Sequence, residues 1–282
     1  METIAPVRPS PIAGSWYEGN PKALARMVDQ YLDQAELPEL SGKVIAVIAP
    51  HAGHIYSGPV AGYAFAALRG QTPDLVAILS PMHQPYYEPL LTTAHSAYGT
   101  PLGQVPVDPE VVADLDARLR ASLGYGLTPV ANDREHSLEI ELPFLQRSLG
   151  AAFKLLPVMV RAQSAKVSQQ LGTALAETLH GKNAVMVAST DLSHFYSQQE
   201  AVAFDTEMLR RIESFSPDDV FCAEKEEQGF ACGLGALTAV LWAAKDLGAN
   251  EVKVLRHATS GDVTGDYSSV VGYGAAVVLK TD

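Results

Sequence analysis

Histidine is the residue that most often binds metals or moves protons near neutral pH, and its placement here is not even. His51, His54, His83, His194 and His257, five of the chain's eight histidines, each lie within a few residues of the end of a short apolar run. The first run leads into Ala49-Pro50-His51-Ala52-Gly53-His54 and the second into Ser80-Pro81-Met82-His83. Two later runs lead into Ser189-Thr190-Asp191-Leu192-Ser193-His194 and His257-Ala258-Thr259-Ser260-Gly261-Asp262. Taken singly, a loop histidine is most simply a surface residue or a partner for turn carbonyls. Gathered at strand ends, imidazoles suit a metal ion, and the prolines before His51 and Met82 stiffen the exits that would carry them.

Cys232 lies in Gly229-Phe230-Ala231-Cys232-Gly233-Leu234-Gly235, just ahead of an apolar helical pattern. A thiol at a helix N-terminus is expected to have a lowered pKa and to serve as nucleophile or ligand, and the flanking glycines allow close backbone approach. The alternative is a buried structural cysteine. Cys222 reads as packing within the helical stretch 218–227. In Asn132-Asp133-Arg134-Glu135-His136-Ser137-Leu138-Glu139-Ile140-Glu141, Asn132 or Asp133 reads as a cap and Glu135 and Glu139 as a solvated acidic first turn. His136 beside Glu135 has the other reading of an acid/base or substrate-orienting group. Gly233-Leu234-Gly235 is not a dinucleotide fingerprint, because it follows no strand and lacks the third glycine. No G-x-S-x-G elbow is present, so a hydrolase of that type is unsupported.

Elements able to position these groups follow from periodicity. Continuous apolar runs at 44–49, 75–79, 154–160, 184–188 and 252–255 predict strands covered on both faces, and the run 269–279 a last strand, central or edge. Between them lie helical stripes. Asn20-Pro21 opens one with Leu24, Val28 and Leu32; Asp108-Pro109 opens another with Val112, Leu115 and Leu119. Ser164 opens a third that stops at Gly181, Ser197 and Glu200 form a capping box, and the last long helix ends at Gly248. Pro143 interrupts the pattern Leu138, Leu142, Leu145, Leu149, so that helix is kinked or begins late. Strand–helix alternation predicts an α/β fold, three layers α/β/α with a mostly parallel central sheet, whose ligands bind beyond the carboxyl ends of the strands.

The 282 residues carry 20 Lys plus Arg against 32 Asp plus Glu, a net charge of −12, with 47% hydrophobic and 18% charged residues. That composition excludes wholesale disorder and is large enough for a core without staples. No basic cluster favours nucleic acid, no apolar run approaches the length of a membrane span, and two cysteines make no disulfide scaffold. The N-terminus lacks the apolar core of a signal peptide. These features predict a cytoplasmic protein of one domain over 1–282, with an N-terminal tail of about 1–7.

Seven strings occur in a fixed order: Gly14-Ser15-Trp16-Tyr17, Ala49-Pro50-His51-Ala52-Gly53, Ser80-Pro81-Met82-His83, Glu135-His136-Ser137-Leu138-Glu139, Ser189-Thr190-Asp191-Leu192-Ser193-His194, Ala231-Cys232-Gly233, and Ser260-Gly261-Asp262 through Gly272-Tyr273. Together they resemble the MEMO-like family, also called AmmeMemoRadiSam system protein B, over about residues 8 to 278. The resemblance implies a fold similar to class III extradiol dioxygenases and a metal in the equivalent cleft. It implies His51, His83 and Cys232 as metal ligands, with Asp191 and His194 lining the cleft. His54 stands where the family often has tyrosine. Two histidines and a thiolate suit iron or copper, and zinc tolerates the set. The expectation is a metal-dependent, dioxygenase-like oxidoreductase acting on a small-molecule or peptide substrate. The alternative is a non-catalytic module that binds a peptide or partner in the same cleft. Prokaryotic relatives look associated with an AMMECR1-domain protein and a radical-SAM protein, which the resemblance implies as partners. A metal hydrolase built on Asp191 and His194 is the weaker reading, since two-metal sites need more carboxylates.

Overall fold

The computed structural model describes residues 4–281; Met1 to Thr3 of the expected tail, and Asp282, lie outside them. In chain order the elements are β1 (Val7–Arg8), α1 (Pro21–Asp33), β2 (Lys43–Ala49), α2 (His54–Ala66), β3 (Leu75–Pro81), β4 (Leu90–Thr93), β5 (Ala97–Thr100), β6 (Gly103–Pro106) and α3 (Pro109–Leu123). They continue as β7 (Thr128–Val130), α4 (Leu142–Ser148), β8 (Lys154–Val160), α5 (Ala165–Leu179), β9 (Ala184–Ser189), β10 (His194–Tyr196) and α6 (Gln198–Glu213). Last come α7 (Pro217–Lys225), α8 (Leu234–Asp246), β11 (Glu251–Thr259), α9 (Gly261–Thr264) and β12 (Val270–Lys280).

Four strands, β2, β9, β3 and β8, pair in parallel at the centre of a 9-stranded sheet. Their interiors are almost wholly buried, which is why the sequence shows continuous apolar runs instead of alternation. β12 is an interior strand: it pairs antiparallel with β2 on one side and with β11 on the other. β4 joins β8 antiparallel, and β7 completes that flank. Helices α1, α2 and α4 pack on one face of the sheet and α3, α5, α6, α7 and α8 on the other, giving three α/β/α layers with one apolar core in each interlayer. No helix among the described residues is long and apolar enough to cross a membrane.

The helix ends follow local chemistry. The Asn20 side chain accepts from the backbone of Lys22 and Ala23, and Ser197 and Glu200 cap each other's backbone as a capping box. Pro143 falls in the first turn of α4, preceded by one 3₁₀ turn at Glu139–Glu141, so the helix begins late and is not kinked. α2 shows no amphipathic stripe because it is buried nearly all round, between α1, α4 and the sheet.

Candidate metal centre

Because β2, β3 and β9 run in parallel, the segments after them emerge along one edge of the sheet, and His51, His83 and Asp191 emerge with them. The segment 132–139 lies across the same edge. Together they bring three imidazoles into one cluster: a ring nitrogen from each of His51, His83 and His136 lies within 4.8 Å of the others. The His83 and His136 rings stack, with centroids 4.8 Å apart, and His51 meets both edge-on. Such a cluster could hold a metal ion, because neutral imidazoles offer lone pairs and two of the rings, His51 and His83, are steered from behind.

The steering groups are named by their bonds. His83 donates Nδ1–H to Glu135 Oε1 at 2.8 Å, and the His83 backbone N–H donates to Glu135 Oε2 at 2.6 Å. The backbones of His136 and Ser137 also donate to Glu135 Oε1. His51 Nδ1 lies 2.9 Å from Ser189 Oγ. Burial alone would raise the Glu135 pKa, but the hydrogen bonds from His83 and the nearby His83 and His136 rings outweigh it, and the carboxylate sits well below its usual range. Burial, reinforced by the other imidazoles, pushes His51 far down, and burial with His83 lowers His136 to about 4 against the pull of Glu135. His51 and His136 are therefore neutral and lone-pair-rich at pH 7, the state a cation needs.

Cys232 closes one side. Its Sγ lies 3.1 Å from His51 Nε2 and accepts the Asp191 backbone N–H at 3.2 Å. The loop is pinned by Gln163, whose amide donates to Cys232 O and accepts from Gly235 N–H, and by the Cys232 N–H bond to Asp191 O. Gly233 has to be glycine here, since a Cβ would fall 2.5 Å from Ser189 O. The lowered thiol pKa expected from the helix N-terminus is overturned: burial and the neighbouring Asp191 charge push the thiol up, so desolvation outweighs the helix dipole. In the absence of a cation the sulfur is a neutral thiol that can donate to His51 Nε2.

Asp191 is buried, accepts the His51 backbone N–H at 2.7 Å, and is raised to about 7 by burial against the bonds from His51 and Ala52. His194 is half-buried, donates Nδ1–H to Leu192 O, and lines a small cavity of about 280 Å³ together with Cys232, Tyr196 and Phe230. Two histidines belong elsewhere. His54 turns away from the cluster and donates Nε2–H to Ile140 O between Tyr17 and Phe144, so His51 is the histidine of the first loop that enters the site. His257 is not at a strand end: β11 continues to Thr259, and His257 donates to the buried Asp205 at 2.8 Å.

The acidic run after Asn132 is also not a solvated turn. Glu135, Glu139 and Glu141 are all buried, and Arg8, itself 1% exposed, bonds Asp133, Glu139 and the Glu135 carbonyl. No local pattern could reveal this, because the partner lies more than 120 residues away in β1.

Glu135→Gln tests the steering role. One amide position faces an N–H of His83 with an NH₂, a donor–donor clash costing about 1–3 kcal/mol. Zinc affinity, read by competition with a chromophoric chelator, is expected to fall about 10–100-fold; an unchanged affinity removes Glu135 from the site.

A sequence model of the family described as Memo-like protein matches residues 8–277. A MEMO1 family protein of Nitrosopumilus maritimus is 34% identical, over 95% of this chain and 98% of its own length. Others from Methanococcoides burtonii and Methanothermobacter thermautotrophicus are each 36% identical, covering 97% and 95% of this chain.

Proposed function

This chain belongs to the Memo-like protein family, and from that premise we propose that it is a metal-dependent redox protein, with iron or copper held by His51, His83 and Cys232 and a substrate facing His136, Asp191 and His194. The observation that carries the reading is the convergence of three imidazoles with a thiol 3.1 Å from one of them. Imidazole suits zinc, copper and iron alike; adding a thiolate shifts preference toward soft or redox-active ions. When bound, such an ion would supply one-electron chemistry to a small oxidisable substrate. The chain's own groups have separate tasks. Glu135 and Ser189 orient the two ring ligands from behind. His136, neutral at pH 7, can take a proton from a bound substrate, and Asp191, with its pKa near 7, can hold or return one. Trp16 covers His136, with ring centroids 4.1 Å apart, and narrows access of water to that ring.

The test is metal content of protein expressed in iron- or copper-supplemented medium and purified without chelator, for the wild type, Cys232→Ser and His136→Ala. Retained iron or copper is expected to fall at least about tenfold in Cys232→Ser and to persist in His136→Ala. Loss in His136→Ala with retention in Cys232→Ser would assign a three-histidine set instead. A wild type that takes up no metal while still binding peptides would overturn the redox reading in favour of a binding module.

A further inference from the structure

Behind His51 lies a buried chain of polar groups that the proposed chemistry does not use. Ser189 Oγ has three close partners: His51 Nδ1 at 2.9 Å, Ser137 O at 2.7 Å and Glu141 Oε1 at 2.8 Å. Ser137, Ser189 and Glu141 are each 0% exposed, so water completes none of these bonds. A hydroxyl has one proton and two lone pairs. The Ser137 carbonyl can only accept, so the serine proton is committed to it; otherwise two oxygens meet at 2.7 Å with no hydrogen between them. The other two partners must then donate to Ser189. For His51 this requires the Nδ1–H tautomer. For Glu141 it requires the carboxylic acid.

We propose that Glu141 is a neutral carboxylic acid and that Glu141 and Ser189 together form a positioning relay, fixing His51 as the Nδ1–H tautomer with its bare Nε2 aimed into the cleft. Three further observations agree with the proton count. Glu141 Oε2 has no hydrogen-bond partner among the described residues, which is tolerable for the carbonyl oxygen of an acid and costly for a carboxylate. Among the described residues no cation is bonded to the side chain, in contrast to Glu139, which holds Arg8. Burial raises the Glu141 pKa well above the usual range, and the Asp191 charge adds to it. On the far side of the ring, His51 Nε2 has Cys232 Sγ at 3.1 Å, an acceptor–donor pair that requires the same tautomer when the sulfur carries its proton. The relay rests on the metal reading only for the purpose of that bare nitrogen; the protons themselves exist without any ion.

The experiment is therefore done on metal-free protein. Infrared spectra with and without ¹³C-labelled glutamate are expected to show the carbonyl stretch of a protonated carboxyl at pH 7, lost in Glu141→Gln. Two-bond ¹H–¹⁵N correlation spectra are expected to show His51 as Nδ1–H in the wild type and in Glu141→Gln, whose amide can still donate to Ser189. On a Cys232→Ala background, which removes the thiol from the other ring nitrogen, Ser189→Ala is expected to release the tautomer. In the otherwise unchanged chain it is expected to weaken zinc binding about tenfold or more. A wild-type spectrum without the acid band, or with His51 as Nε2–H, overturns the proposal, and so does Ser189→Ala on the Cys232→Ala background with the tautomer unchanged. The wild-type measurements stand even where a variant fails to fold. Failure to bind any metal alongside a confirmed acid and tautomer would instead count against the redox reading alone.

Discussion

Arg8→Met is expected to destabilise the protein by about 3–5 kcal/mol, and the loss is expected to shrink as the pH falls from 8 to 5. Arg8 is 1% exposed and lies between two carboxylates, bonding Asp133 Oδ1 at 2.7 Å and Glu139 Oε2 at 2.6 Å. Tyr17 and Ser10 donate to the other oxygen of Glu139. Methionine fills much of the volume, so the cost is not a cavity. It comes from two buried negative charges left without their cation, which is far more expensive than replacing the whole cluster by neutral groups. The pH sign follows. Burial already raises the Glu139 pKa against the pull of Arg8, and removing Arg8 raises it further, so the folded state gains protons and stability as the pH falls. Urea unfolding at pH 8 and pH 5 reads both numbers, and Asp133→Asn with Glu139→Gln on the Arg8→Met background is expected to recover most of the loss. A variant within about 1 kcal/mol of wild type at pH 8 would mean that the cluster is hydrated. The effect reaches the metal centre because Arg8 also bonds the Glu135 carbonyl. It ties β1 to the segment that presents Glu135 and His136, so metal affinity is expected to drop along with stability.

How far the sequence can be read depends on the range of the interaction that decides each feature. The central strands were legible because burial on both faces writes itself as an unbroken apolar run, and the polar residues just past each run, His51, His83 and Asp191, were placed by the same signal. β11 misled because only part of it is buried; its polar C-terminal half hides the pairing with β12 that carries it through His257. α2 left no trace, since a helix buried nearly all round has no stripe and begins directly after the site loop. The acidic run after Asn132 looked like a helix start, which local capping rules favour, and nothing within ten residues reveals Arg8. Cys232 was found as a candidate for the right place and the wrong proton: the helix dipole is visible in sequence, whereas the desolvation that outweighs it is a property of the packed site. The resemblance to Memo-like proteins named His51, His83 and Cys232 as a set, while the three-imidazole cluster with His136 emerged only once the loops were assembled.

Acid is expected to cost the folded state about 3 kcal/mol at His54 alone, outside the metal centre and independent of it. His54 is 1% exposed; burial lowers its pKa from 6.5 to about 4, and the bond to Ile140 O restores only part of that. Its Nδ1 has no partner among the described residues, so a proton added there would stand bare between Tyr17 and Phe144. Below pH 6.5 the unfolded chain takes up a proton that the folded chain refuses until about pH 4. Stability is therefore present above pH 6.5 and lost as the pH falls from 6.5 to about 4. Asp191 works in the opposite sense, because its pKa is raised from 3.8 to about 7 and the folded state gains a proton over that window. The two nearly parallel ranges partly cancel in the wild-type curve, so the single-site effect has to be read as a difference. His54→Phe keeps a ring in the same apolar gap and cannot protonate. At pH 7.5 it is expected to be less stable by about 1–3 kcal/mol, because Ile140 O loses its donor. By pH 4.5 the gap is expected to close or reverse, since only the wild type pays for the unshared proton. Urea midpoints at the two pH values measure that crossing, and parallel curves for the two proteins would show that His54 titrates normally and that water reaches Nδ1.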